Sequence, residues 1–459
     1  MNRLFNLLFS ISLIFFWGVC GASCTRKTPN NSGTETEIDA IAKDSIVIES
    51  SKQIIPKTTQ TLHVFIENSG SMNGYINATS DFQMAIGRTI QLMKFKYGEG
   101  NIKTYYINTK VSEKIRPNNT DIYAFVQQML ERQNFSSTGG TSSTDLNNII
   151  KEVLNFVDEN NSAILISDFI YSLPSTNGVT TNLLYGCQNL TMSAFLEKTK
   201  EMNNISLATN LVQLFSSFQG HYWHWEKPNG SNYVNLNCQR PYYICIMGTD
   251  DNVKDFNKSI NIESLKGYKN QFTISNKNMA NTSYTVFDTK YKKGKYRHNN
   301  TDAIHYINKV GKTTNDEFEL GIGIDLSDFT MSESDKLDIA NYTINQGNYQ
   351  ILKIEPIDTL KLANPTDKNL VRKNNCTHAI VLACTGFPND ISLSIKRELP
   401  SWVNNSSSID DRNIAFDETE QNKTFGFYYF VEGISDAYNY LATDKNNFMT
   451  INIKVSTNN

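Results

Sequence analysis

Three short stretches of this sequence gather oxygen-bearing side chains at the ends of apolar runs. The first, residues 64–75, reads V-F-I-E-N-S-G-S-M-N-G-Y; Glu67 closes an apolar run, and Ser69 and Ser71 flank Gly70. The second, S-S-T-G-G-T-S-S-T-D over 136–145, holds Thr141 directly after a double glycine. The third, A-I-L-I-S-D, ends at Asp168. Together Glu67, Ser69, Ser71, Thr141 and Asp168 form an oxygen-only set, which suits a hard divalent cation rather than zinc. Mg2+ is the first expectation, with Mn2+ or Ca2+ as alternatives. Each stretch alone reads more simply. E-N-S-G-S is a hydroxyl-rich turn, T-G-G-T a turn before a helix N-cap at Thr144 or Asp145, and I-S-D a strand end. Their common chemistry lies in their order along the chain.

For these groups to meet, three connections must leave the same edge of one sheet. The pattern of residues 60 to about 265 predicts such a frame. Apolar runs at 61–66, 101–107, 162–167, 210–220 and 241–247 read as strands. Helical spacing at 82–93, 121–132, 146–157 and 193–202 places helices between them. Alternating elements with continuously apolar strands predict a doubly wound, mostly parallel α/β sheet covered on both faces. In such sheets ligands bind beyond the carboxyl ends of the strands, where Glu67 and Asp168 stand.

The order E-x-S-x-S, then T-G-G-T, then a strand ending in I-S-D resembles the von Willebrand factor type A domain. That family's metal-ion-dependent adhesion site uses D-x-S-x-S, a threonine and an aspartate in the same order. By this resemblance Ser69 and Ser71 are the serine ligands, Thr141 the threonine ligand and Asp168 the closing aspartate. Gly70 and Met72 also fit the form D-x-S-G-S-M. Glu67 departs from the pattern, standing where the family has aspartate; the charge is kept, but the extra methylene moves the carboxylate out by about 1.5 Å. The resemblance covers about 60 to 265 and implies a cation completed by an acidic residue of a protein ligand.

The N-terminus reads as an address. A short cationic start, an apolar core and small residues before a cysteine describe a secretory signal over 1–23. Gly21-Ala-Ser-Cys24 resembles the lipobox of bacterial lipoproteins, which implies a lipid on Cys24, a membrane attachment and residence in the cell envelope, at the outer membrane. Cys20, with bulky Val19 before it, fits less well, and an uncleaved membrane anchor is the other reading of the run. Residues 24–57 are polar and turn-rich, as a flexible tether would be. Asp44-Ser-Ile46 and Asp358-Thr-Leu360 resemble short O-glycosylation acceptors of Bacteroidetes-like bacteria. No later segment is apolar enough to cross a bilayer.

The remaining chain divides into a type A-like domain at 58–268 and a β-rich domain at 269–459. In the latter, short β-prone runs at 271–274, 318–324, 349–354, 379–383, 391–395 and 448–455 alternate with Asn, Asp, Ser and Gly clusters. That texture predicts a β-sandwich, with one helix at 427–441. A length of 459 residues exceeds one ordinary core.

Composition narrows the function. A formal charge of -3 without a basic run argues against nucleic acid. No P-loop, dinucleotide glycine pattern or G-x-S-x-G occurs. His221 and His224 sit three apart on a strand and so face opposite sides, which disfavours zinc. Setting aside Cys20 and Cys24, five cysteines remain; five is odd, none is spaced C-x-x-C, and buried free thiols are expected for most. The expected function is recognition without catalysis, an envelope lipoprotein binding a protein ligand through a cation. The alternatives are a metal-free scaffold with a degenerate site and, further off, a metal-dependent envelope hydrolase, for which no histidine base is placed beside Ser69 or Ser71.

Overall fold

The computed structural model describes residues 60–76, 80–136, 145–173, 180–203, 205–225, 233–279, 282–301 and 304–456. The predicted signal, tether and Thr141 lie outside these residues. The chain opens with strand β1 (Thr61–Glu67), whose last four residues are all buried. Helix α1 (Asp81–Tyr97) follows, started by a reciprocal capping box between Ser80 and Gln83. Strands β2 (Ile102–Ile107) and β3 (Val111–Lys114) come next, then helix α2 (Ile122–Met129) and the short turn of helix α3 (Arg132–Phe135). Helix α4 (Leu146–Leu154) is capped by Asp145, whose carboxylate accepts from the amides of Asn147 and Asn148. Strand β4 (Asn161–Ser167), helix α5 (Thr180–Glu201), strands β5 (Leu207–Trp223) and β6 (Tyr233–Thr249), helix α6 (Asp250–Ser259) and strand β7 (Tyr268–Ser275) complete this part.

The seven strands form one sheet in the order β3-β2-β1-β4-β6-β5-β7. The sheet is mixed rather than mostly parallel. Only β1–β2 and β1–β4 run parallel, while β2–β3, β4–β6, β5–β6 and β5–β7 are antiparallel. A continuous apolar run reports burial on both faces, not strand direction, so the sequence pattern could not separate the two cases. Both faces are covered. Leu62, Val64 and Ile66 face α1, α2 and α6, whereas Phe65 and Leu165 face α4 and α5. Fully burying a side chain such as Phe65 contributes roughly 2 kcal/mol, so the central strands are held firmly.

Strands β5 and β6 outrun their neighbours. They pair without interruption from Leu207↔Thr249 to Trp223↔Tyr233, yet β4 meets β6 only over 243–247. Beyond that point they continue as a two-stranded ribbon, with Phe218 and Tyr222 buried on one face and Gln219, His221 and Trp223 exposed on the other.

The later strands form two sheets. One has the order Tyr342–Gln346, Ile391–Lys396, Asn447–Val455, Ile304–Gly311, Lys295–Thr301; the other runs Tyr349–Pro356, His378–Cys384, Glu319–Ile324, Tyr284–Val286. Leu320, Ile322 and Leu382 of the second share one core with Leu393, Ile395 and Ile451 of the first, which makes the pair a sandwich.

The two parts do not separate at 268/269. Strand β7 crosses that position and hydrogen-bonds along β5. The helix Phe427–Leu441 forms over the expected residues but covers the large sheet, where Phe427 stacks on Tyr243 at 4.1 Å and Tyr438 bonds to Thr209 at 3.0 Å. Its buried aromatics Phe427, Phe430 and Tyr438 pack against Tyr243, Phe169 and Phe195 respectively. Arg397 ties the junction by donating to the carbonyls of Ser275, Lys277 and Asn447. Large sheet and sandwich belong to one compact unit, Lys57–Asn459. Among the described residues no helix is long and apolar enough to cross a membrane, and all five cysteines, Cys187, Cys238, Cys245, Cys376 and Cys384, are free.

Candidate functional site

The register of β1 on β4 decides which side chains meet. Ile66 lies opposite Ile166 on adjacent parallel strands, so the two chains end side by side at Glu67 and Ser167, with Asp168 next. Ser167 donates its hydroxyl proton to Oε2 of Glu67, and the amide of Phe169 donates to Ser167 Oγ at 2.8 Å. The chain then turns sharply. Phe169 holds a left-handed φ of 53°, a conformation that costs a β-carbon residue about 1 kcal/mol; its fully buried ring fixes it there.

After β1 the chain enters a 3-10 turn, Ser71–Tyr75, whose Met72 and Tyr75 are buried pegs. Glycine is required where this turn meets the ribbon. A Cβ on Gly220 would lie 2.7 Å from Gly74 Cα, and one on Gly74 would enter the Phe218 ring. The turn is thereby clamped to β5, and Tyr75 adds a bond from its hydroxyl to the Pro241 carbonyl at 2.5 Å. Held this way, the Ser69 and Ser71 hydroxyls bond each other at 3.1 Å. Ser69 also acts on the Glu67 carboxyl and Ser71 on the Asp168 carboxyl, each favouring the charged form.

Four of the five expected ligand residues therefore meet: Glu67, Ser69, Ser71 and Asp168. Thr141 lies outside the described residues, but the chain leading to it is pinned to the first loop. Asn68 donates to the Phe135 carbonyl at 3.1 Å, and Ser136 Oγ donates to Asn73 Oδ1 at 2.8 Å. Asn108 supports this contact by donating to Asn68 Oδ1 at 3.0 Å.

Both acids of the site are buried. Glu67, Ser69 and Asp168 are 5%, 6% and 2% exposed. Burial pushes the Glu67 carboxyl well above the usual range, and the nearby Asp168 charge pushes it further; bonds from Ser167 and Ser69 oppose this. Burial also raises Asp168, against the pull of Ser71 and of Arg240. In this arrangement Glu67 keeps its proton more readily than an ordinary glutamic acid.

Arg240 is the residue that sequence reasoning missed. It lies on β6, 1% exposed, with its guanidinium 4.8 Å from the Tyr222 ring centre and Nη1 donating to the Gln421 carbonyl at 3.0 Å. Its signal was present in the sequence: one arginine beside the run P-Y-Y-I-C-I-M, an isolated charge leading into a buried strand. Behind it Tyr222 donates to Asp411 Oδ2 at 3.2 Å, and His224 is bonded to the Asp411 carbonyl oxygen at 3.0 Å. His224 is thus buried, whereas His221 lies exposed against Tyr233 with ring centres 4.1 Å apart.

The residues fit a hard cation in two respects. Asp168 Oδ2 is buried and has no hydrogen-bond partner among the described residues, which is costly for a carboxylate oxygen unless something positive compensates it. The convergent donors are all oxygens, two of them neutral hydroxyls. Among the described residues, this site included, no three His, Cys, Asp or Glu side chains gather as a metal group. No protein-family model, curated protein or solved structure significantly matches this chain.

Proposed function

We propose that the large-sheet part of this chain is a von Willebrand factor type A-like domain that binds a protein ligand through a divalent cation, with Mg2+ the first candidate. Ser69, Ser71, Thr141 and Asp168 would hold the cation, and Glu67 would join them directly or through water. What supports this reading most is the meeting of Ser69, Ser71 and Asp168 at the carboxyl ends of two adjacent parallel strands, with one Asp168 oxygen left unbonded. Bound there, the cation supplies a charge that the hydroxyls leave largely uncompensated. A carboxylate from a partner completes the balance, so the chemistry is recognition and not turnover. Glu67 tunes it: a proton kept on Glu67 leaves the site one negative charge poorer, and a cation favours its release. The chain reaches its partner from the envelope, attached through lipid on Cys24. The sandwich acts as spacer or second contact surface.

Arg240 favours a second reading. Its buried charge already acts on Asp168, so the acid is partly compensated within the protein. Under that reading the chain is a metal-free scaffold. Titration calorimetry of the purified full chain with Mg2+ and with Mn2+ separates the two. Saturable heat at one site, lost in Ser71→Ala, upholds the cation reading; no heat with either ion leaves the scaffold.

A further inference from the structure

A groove of about 500 Å3 opens beside the candidate site, where the first loop and α3 face the β5–β6 ribbon. Its lining side chains include Asn73, Arg132, Gln219, Trp223, Asn235 and Asn237. Among the described residues no carboxylate lines it and Arg132 forms no ion pair. The ribbon supplies an ordered set of rungs, because Gln219 stands opposite Asn237, His221 opposite Asn235 and Trp223 opposite Tyr233. Side chains alternate along a strand, so these pairs share one face and succeed each other at about 7 Å. The rings of His221, Trp223 and Tyr233 pack together at its end, with centres 4.1 to 6.3 Å apart, and Trp223 remains 42% exposed.

The geometry points to this groove as a binding site for an oligosaccharide carrying a carboxylate. An amide side chain offers two donors and an acceptor within one plane, which matches neighbouring sugar hydroxyls that both give and take hydrogen bonds. Exposed aromatic faces suit the apolar C–H faces of sugar rings, and such rings contribute large contact area at little entropic cost. Arg132 is the one Lys or Arg among the described lining residues and can take a sugar acid's carboxylate in a forked pair of bonds. Other ligand classes fit less well. A nucleic acid needs several phosphate-neutralising cations, and the described lining has one. A peptide that adds as a strand relies on apolar pockets for its side chains, whereas among the described lining residues only Trp223 and Leu236 are large and apolar.

The test is an array of structurally defined glycans, neutral and uronic-acid-bearing, probed with the purified full chain in EDTA. Acid-bearing glycans should bind, and binding should persist in the chelator because the groove needs no cation. In solution Trp223→Ala and Asn237→Ala should each weaken the strongest binder at least tenfold. Arg132→Ala should abolish the preference for acid-bearing over matched neutral glycans. All three positions are exposed, so each variant should melt with the wild type. The inference is overturned if no glycan binds, if EDTA abolishes binding, or if glycan binding is indifferent to Trp223→Ala and Asn237→Ala. Capture of acidic peptides in place of any glycan overturns it as well.

Discussion

Ser167 donates a hydrogen bond to the carboxyl of Glu67, a residue one hundred positions earlier, across two parallel neighbouring strands. The pair brings both strand ends to one acidic point and leaves Asp168 the next residue on the rim. It also explains how an unusually long acid is accommodated. Glu67 reaches sideways to Ser167, and Ser69 also favours its charged form.

The raised Glu67 carboxyl makes folding stability depend on pH. Its folded value lies above the ordinary 4.5, so between the two values the folded chain holds a proton that the unfolded chain has released. Stability from this group is therefore greatest below 4.5 and declines as pH rises toward the folded value. Asp168 shifts in the same direction. Thermal melts of Glu67→Gln and wild type in EDTA should diverge with rising pH, the variant gaining on the order of 2 kcal/mol across the window. Parallel pH profiles would mean that Glu67 is ionised in the folded chain.

Arg240 separates self-compensation from cation binding. Arg240→Met removes the positive charge acting on Asp168 and should destabilise the fold by about 3 kcal/mol in EDTA. If the cation reading holds, millimolar Mg2+ restores much of that loss and binds more tightly than to wild type. A loss unmoved by Mg2+ favours the scaffold.

Membrane attachment has its own test. In a Gram-negative host supplied with labelled palmitate, the full chain should incorporate label and partition into detergent. Cys24→Ala should do neither. Label retained in that variant would move the acceptor to another residue, Cys20 being the nearest.

The readable parts of the sequence were local. Ser69 and Ser71 flank a glycine after a strand, Asp168 ends an apolar run, and Asp145 caps a helix; each is written in a few consecutive residues. Two features were not local. The direction of β5 and β6 depends on a hairpin that apolar content cannot encode, so a mixed sheet read as mostly parallel. The destination of helix 427–441 depends on which surface needs covering, and its sequence states only that several faces are apolar. Arg240 was legible as an anomaly, but its partners are Tyr222 on β5, Asp168 just past β4 and Gln421, which no spacing rule connects to its place on β6.

The most direct test of the central claim is a crystal of this chain grown with Mn2+ and measured for anomalous scattering from the ion. The account predicts one strong peak about 2 Å from the oxygens of Ser69, Ser71 and Asp168, with Thr141 closing the same shell directly or through water. A featureless map at that point, with Asp168 turned instead toward Arg240, would contradict it.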